Sequence, residues 1–169
     1  NNYDPYLIRE ALNNAVAHQD YTKGGKVILV EKEDGELIFS NRGEFLPGNV
    51  EEVLLADAPE DRYKNKWLVD AMVSFGMIDT VGSGIRRMFT IQRAKLFPLP
   101  DYDLNDDQVK VTISGKVLDI NYARKLAEMP DLSLAEIIML DKVSKGIPIT
   151  KAQADILKSK DLIEGRRPN

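Results

Sequence analysis

The 169-residue chain lacks cysteine and contains only one histidine and one tryptophan. Without thiols it can form no disulfide, no thiolate zinc site and no cysteine nucleophile, and one imidazole excludes a cluster of histidine ligands. No apolar run reaches the roughly 18 residues that a membrane helix needs, and no signal peptide is recognisable. These absences predict a cytoplasmic protein without a membrane segment.

The charge of the chain is unevenly distributed. The net charge is −4, which argues against a polycation built for nucleic acid along its whole length. From residue 142 onward, seven Lys and Arg stand against three Asp and Glu, a local charge of +4 that leaves −8 on residues 1–141. An acidic body with a basic tail predicts two separate tasks.

The hydrophobic periodicity predicts an α/β unit followed by a helical module. Residues 5–18 have helical spacing behind an Asp-Pro cap, and residues 26–41 read as a β-hairpin around a DGE turn. Two or three helices, a Pro- and Asp-rich loop and a strand follow. After residue 115 three helices are predicted, and Leu162-Ile163 with Gly165-Arg166-Arg167 has the pattern of a strand and wing that follow a recognition helix. Because both ends look cut, we expect a fragment of a longer protein.

The first helix carries polar residues beside its apolar stripe. Glu10, Asn14 and His18 are spaced four apart and therefore share one helical face. A carboxylate on a rigid helix can act as a general base for water, and an amide oxygen one turn away can help to hold magnesium. These side chains could equally cap the helix or bridge to loops, and His18, with Asp20 nearby, could be either a cap or an acid/base partner.

Two glycine turns are candidate phosphate sites. SNRGEFLPG follows the second predicted strand, and VGSGIRR precedes a predicted helix. Free backbone N–H groups and the helix dipole at such a turn favour an anion. Either turn could instead do no more than connect two elements of secondary structure.

The order of these motifs resembles the GHKL ATPases, the class of gyrase, heat-shock chaperones, histidine kinases and MutL. Their first helix carries Glu-x-x-x-Asn, matched here by Glu10 and Asn14. The resemblance implies that Glu10 is the catalytic base and that Asn14 binds ATP and Mg²⁺. It further implies that Asn41 and Gly43 contact the adenine, and that Gly82 and Gly84 contact the phosphates.

Four segments narrow the resemblance: REALNNAVAHQDY, LIFSNRGEFLPGN, GMIDTVGSGIRRMF and LIEGRRPN. Together they are similar to the C-terminal region of bacterial transcriptional regulators of the Schlafen/AlbA type, often labelled RecG-related ATP-dependent DNA helicases. That likeness implies an α+β fold, with a GHKL-like two-layer α/β sandwich over residues 1–115. A winged-helix module, truncated at the wing, is implied over residues 116–169.

Two features of a working GHKL ATPase, the adenine-binding aspartate and the glycine-rich lid, are missing from this sequence, and it also lacks a helicase motif. Asn41 replaces the aspartate that binds the adenine amine, which removes a charge-assisted hydrogen bond of roughly twice the usual strength. The segment between Gly43 and Gly82 lacks a long glycine-rich lid, and no G-x-x-x-x-G-K-[ST] helicase motif occurs. Three hypotheses remain open: a regulator with a degenerate nucleotide site, an active ATPase, and a scaffold with a vestigial pocket. A homo-oligomer is compatible with each.

The basic tail has the pattern of a DNA-binding winged helix. Long cations suit phosphate contacts, and glutamine can bind an adenine edge. The same residues could instead solvate an exposed helix or bind a protein. The candidate DNA-binding residues are Lys151, Gln153, Lys158, Lys160, Arg166 and Arg167.

Overall fold

The computed structural model describes residues 2–55, 63–78 and 84–164. Within them lie seven α-helices and four strands. The helices are α1 Pro5–His18, α2 Val50–Leu55, α3 Lys66–Ser74, α4 Gly84–Ala94, α5 Ile120–Glu128, α6 Leu134–Ser144 and α7 Lys151–Ser159. The strands are β1 Ile28–Glu31, β2 Glu36–Arg42, β3 Asp101–Asp103 and β4 Gln108–Ser114. None of the described helices is long and apolar enough to cross a membrane.

The four strands form one antiparallel sheet in the order β1-β2-β4-β3. The predicted hairpin is β1–β2, and β4 is the predicted later strand. β3 lies in the segment predicted as a loop, because three residues that follow two prolines give no detectable alternation. Since cross-strand partners share a face, Phe39 and Val111 point to the same side of the sheet, as do Asn41 and Val109.

Helices α1 and α4 cover one face of the sheet and make it a two-layer structure. Leu7 and Met88, which are both 0% exposed, pack with Phe39 at 1% and Ile113 at 1%. The period-two burial of β2 and β4 supplies the sheet side of this core. The end of β2 therefore lies beneath α1, and this arrangement positions the site described below.

The C-terminal helices pack onto this two-layer unit through a continuous apolar cluster. Leu54, Phe89 and Leu99 of the α/β part belong to the same buried group as Ile137 and Leu157. The boundary predicted at residue 115 stays a prediction, because the helices share this core with the preceding residues.

Side chains at the end of α6 also form hydrogen bonds with the segment before β3. The Asp141 carboxylate accepts a hydrogen bond from the Leu99 backbone N–H at 3.1 Å, and the Lys145 ammonium donates to the Leu99 carbonyl at 3.1 Å. Asp141 and Lys145 are also paired with each other at 2.7 Å. The backbone N–H and carbonyl of buried Leu99 are thus both bonded to side chains at the end of α6, and this fixes α6 against the α/β unit.

The residues after α7 are described only as far as Glu164, and no strand follows α7 within the described part. The predicted wing, with Arg166 and Arg167, lies outside the described residues. A winged helix therefore stays a prediction.

Candidate functional site

Polar residues in and directly after α1 join it to other elements of the fold. The Asn13 amide donates to the Met77 carbonyl at 2.6 Å, and the Gln19 amide oxygen accepts from the Arg42 N–H at 2.9 Å. Both side chains are buried, so each contact replaces water that the group has lost. The end of α1 is thus tied to both the segment after α3 and the end of β2.

Glu10 lies between α1 and the start of α4. Its carboxylate accepts a hydrogen bond from the Asn14 amide at 3.2 Å, and the residue is only 8% exposed. A Cβ at Gly84 would lie 1.7 Å from the Glu10 Oε1 atom, so the carboxylate touches the first residue of α4. A negative charge at this end of a helix is favoured by the helix dipole. The predicted base and the predicted phosphate-binding glycine are therefore in direct contact with each other.

Asn41 lies at the end of β2 on the helix-covered face. It is 4% exposed, and its amide nitrogen donates to the Arg42 carbonyl at 3.2 Å. Asn41, Asn14 and His18 line one small cavity, whose other walls are largely apolar. The predicted base-binding amide and the predicted metal-binding amide thus share a cavity.

His18 and Tyr63 form part of the wall of the neighbouring cavity. Their rings are stacked with centroids 5.8 Å apart and an interplanar angle of 25°. This second cavity also contains Glu10 and Gly84. Because Asn14 and His18 line both cavities, the two are parts of one cleft beneath α1. Sequence reasoning missed Tyr63, because nothing in its local pattern signals a partner 45 positions earlier.

Gly43 has a different environment from the one expected for it. It has a φ of +120°, and an added Cβ would lie 3.3 Å from both the Asp20 Cβ and the His18 carbonyl. It is not among the residues that line the two cavities. Its place fits a backbone requirement for glycine where β2 meets the end of α1. A role in base contact stays a prediction.

Asp20 is a buried carboxylate that sequence analysis treated only as a possible partner of His18. It is 2% exposed and lies 2.7 Å from the Lys64 ammonium, and it accepts hydrogen bonds from the N–H and hydroxyl of Thr22. The Lys64 hydrogen bond first, and then the Thr22 hydrogen bonds, hold the pKa of Asp20 well below its usual range. Its role is to fix the turn after α1.

This depressed pKa predicts an acid-dependent loss of stability. Since Asp20 ionises more readily in the folded protein, its contribution is fully present above its unfolded pKa of about 3.9 and fades as the pH falls below that value. We expect Asp20→Asn to be less stable than the parent at neutral pH and to lose less stability on acidification. Urea unfolding between neutral and strongly acidic pH measures this. Lys64→Met should also reduce the acid dependence, whereas curves for all three proteins that run parallel would contradict the assignment.

The polar side chains in the cleft are of the kind that bind a nucleotide, but the cleft is too small to hold one. Its two parts measure about 30 and 50 Å³, whereas small-molecule pockets measure about 300–1,000 Å³. Glu10 and Asn14 are oxygen donors of the kind that Mg²⁺ prefers, but they are bonded to each other. The described residues contain no group of three or more His, Cys, Asp or Glu side chains able to hold a metal. In this conformation the cleft has no room for a nucleotide.

A larger cavity lies elsewhere, between the α/β unit and α6. It measures about 340 Å³ and has an apolar floor that includes Leu54 and Phe89. Lysines at its rim are paired with carboxylates: Lys142 with Glu51, and Lys145 with Asp141. None of the predicted site residues lines it.

Some of the residues predicted to bind DNA through α7 are already engaged in contacts within the protein. Lys151 and Lys158 are exposed, but the Gln153 amide oxygen accepts from the Thr150 N–H in a capping box. Lys160 lies 2.5 Å from the Glu136 carboxylate, which lowers the pKa of Glu136. Arg166 and Arg167 are outside the described residues, as is Gly82 of the glycine turn. DNA binding by these residues stays a prediction.

The sheet and helices α2 to α4, which lie between its strands in the sequence, form an ATPase-like domain. The chain belongs to the family described as "Putative ATP-dependent DNA helicase recG C-terminal", whose model matches residues 25–113. No curated protein sequence matches the chain significantly.

A similar solved structure is the crystal structure of the DIP2311 protein from Corynebacterium diphtheriae, a structural genomics target. It superposes with a TM-score of 0.60 at 21% sequence identity, covering 91% of this chain and 30% of that one. At this identity the likeness concerns the fold alone. The chain spans about 30% of the length of that protein.

Proposed function

We propose that this chain is part of a DNA-associated bacterial regulator and that its ATPase-like domain binds an adenine nucleotide without hydrolysing it. The observation that carries the proposal is the shared cleft, in which Asn14 of α1 and Asn41 of β2 meet. The family match, which covers residues 25–113 and therefore Asn41 but not Asn14, supports nucleotide chemistry in the sheet part of the cleft. Asn41 offers an uncharged amide where a carboxylate would grip the adenine amine more strongly, so the expected binding is weak.

The position of Glu10 argues against turnover. A general base must lie within hydrogen-bond reach of the proton that it removes. Glu10 is instead nearly buried, accepts the Asn14 amide hydrogen and rests on the first residue of α4. An active ATPase would need this carboxylate to face a water beside the phosphates.

Nucleotide binding requires the cleft to open. Because the closed cleft is too small, the nucleotide binds only the fraction of molecules in which α1 and the start of α4 have separated. The apparent dissociation constant is then the intrinsic one divided by that fraction. This coupling suits a sensor, since occupancy of the cleft changes the position of α4.

DNA association is proposed for the helical module through the exposed lysines of α7, Lys151 and Lys158. The local charge of +4 after residue 141 supports it. Contacts of lysine with phosphate would position the module without reading sequence. The nucleotide-binding domain and the DNA-contacting helices would communicate through their shared core.

Calorimetric titration of ATP with Mg²⁺, together with a phosphate-release assay, tests the nucleotide proposal. We expect weak, saturable binding that is lost in Asn41→Ala and Asn14→Ala but kept in Asn121→Ala, which changes an exposed asparagine of α5. Phosphate release should stay at background in the parent and in Glu10→Gln alike. Release that Glu10→Gln abolishes would instead identify an active ATPase, and absence of binding at millimolar ATP would identify a vestigial pocket.

A further inference from the structure

All the charged side chains of α4 are positively charged. Arg86 and Arg87 are exposed, Arg93 is half-buried one and a half to two turns further on, and Gly84–Ala94 contains no acidic residue. At about 100° of rotation per residue, Arg86 and Arg93 lie on the same side of the helix, and Arg87 lies about a quarter turn away from them. A solvated face usually mixes charges of both signs. A helix whose charged side chains are all basic is therefore unusual on a chain of net charge −4.

The aromatic ring of Tyr6 on α1 concentrates this charge. The guanidinium carbon of Arg87 lies 4.0 Å from the ring centroid, and that of Arg9 lies 5.6 Å from it. Both distances are within the range of a cation–π interaction. Two cations from different helices are thus held beside one ring, although their charges repel. We call Arg9, Arg86, Arg87 and Arg93 the arginine face.

No carboxylate neutralises the arginine face within the described residues. Among the ion pairs between residues 2–55, 63–78 and 84–164, none involves its four arginines. The nearby Asp4 carboxylate is occupied in capping α1, where it accepts from the Tyr6 N–H at 2.9 Å. Arg93 donates to the Pro130 carbonyl, which links the arginine face to the segment after α5.

The α7 surface differs in this respect. There Lys160 is paired with Glu136, Gln153 is used in a cap, and Asp155 lies exposed between the two remaining lysines. The arginine face therefore offers more uncompensated positive charge than the helix whose sequence suggested DNA binding.

We propose that the arginine face binds the phosphate backbone of duplex DNA. This inference rests on the proposed association of the protein with DNA and adds a second contact surface, on the α/β unit. From Arg86 to Arg93 the helix rises about 10.5 Å, at about 1.5 Å per residue. That length spans about three phosphates of one strand at about 3.4 Å of axial rise each. Guanidinium groups suit this task, since each can bind a phosphate through two parallel hydrogen bonds.

Fluorescence anisotropy with a labelled 20-base-pair duplex, measured over a series of salt concentrations, tests the proposal. Arg86→Gln/Arg87→Gln is compared with Lys151→Gln/Lys158→Gln. Both double variants remove two exposed positive charges, so any general effect of net charge is matched. Circular dichroism and urea unfolding establish that each variant is folded, and Arg9→Gln provides an independent variant on α1.

We expect the arginine variant to bind at least roughly tenfold more weakly at low salt, and its salt slope to be shallower by about 1.8, since each phosphate contact contributes about 0.9. Arg9→Gln should shift the slope in the same direction by about half as much. If the lysine variant alone weakens binding, the arginine face is not a DNA surface and the α7 proposal stands. Equal weakening in both double variants with an unchanged slope would indicate net charge alone and would also overturn the proposal. Absence of binding by the parent would overturn both.

Discussion

Replacing Phe89 by alanine is expected to lower the free energy of unfolding by about 3–5 kcal/mol. Phe89 is 4% exposed and belongs to the apolar cluster that joins α4 to the C-terminal helices. Its ring is stacked on Tyr102, with centroids 6.3 Å apart. Removing it also enlarges the adjoining cavity, whose walls contain both rings. The cost is therefore a lost transfer free energy together with a cavity that the rigid neighbours cannot fill.

Urea denaturation monitored by circular dichroism measures this loss. Phe75→Ala is the matched control, because it removes the same side chain from a position that is 81% exposed. It should change the stability by no more than about 0.5 kcal/mol. A loss below about 1 kcal/mol for Phe89→Ala would mean that the α/β unit and the helices do not share a rigid core.

Gly84→Ala is expected to destabilise the protein by about 1–3 kcal/mol, although the same exchange at an ordinary helical position stabilises it by up to about 1 kcal/mol. The added methyl group would lie 1.7 Å from Glu10 Oε1 and 2.4 Å from its Cδ. The Glu10 side chain must move, and it then loses its hydrogen bond from Asn14 and its buried place at the start of α4. A destabilising Gly84→Ala substitution, where an ordinary helical glycine would give a stabilising one, would therefore show that the glycine is required by close contact with Glu10.

A double-mutant cycle isolates that contact. Glu10→Ala removes the atoms that the new methyl group would meet, so Gly84→Ala should cost little or nothing in the Glu10→Ala background. The coupling energy should lie in the range of about 0.5–3 kcal/mol found for residues in contact. Additive effects would show that Glu10 and Gly84 do not touch. Loss of the contact should also ease the opening of the cleft, which nucleotide titration of the Gly84→Ala variant can measure.

Much of the architecture follows from local sequence. Asp4 and Pro5 begin α1, Ser133 and Thr150 begin α6 and α7 through capping boxes, and alternation along β2 and β4 selects the face that is buried. These signals act within a few residues, because capping and side-chain alternation depend only on neighbouring backbone. β3 escaped detection because its three residues form a strand only by pairing with β4.

The candidate site is only partly visible in the sequence. The spacing of Glu10 and Asn14 predicts that they share a face, and they do lie 3.2 Å apart. Spacing cannot reveal that Gly84 closes over Glu10, that Gly43 lies against Asp20, or that Tyr63 stacks on His18. Each of these contacts joins segments more than 20 residues apart.

The sequence alone predicts the order of the helices and of three of the four strands, the polar face of α1, and the concentration of positive charge after residue 141. Those properties depend on residue type and local spacing. Only the tertiary structure decided that the cleft is too small for a nucleotide, that Glu10 is buried, and that Arg9 and Arg87 meet at Tyr6. The physical reason is that volume, burial and charge proximity are set by how α1 and α4 pack on the sheet, and packing is a property of distant residues acting together.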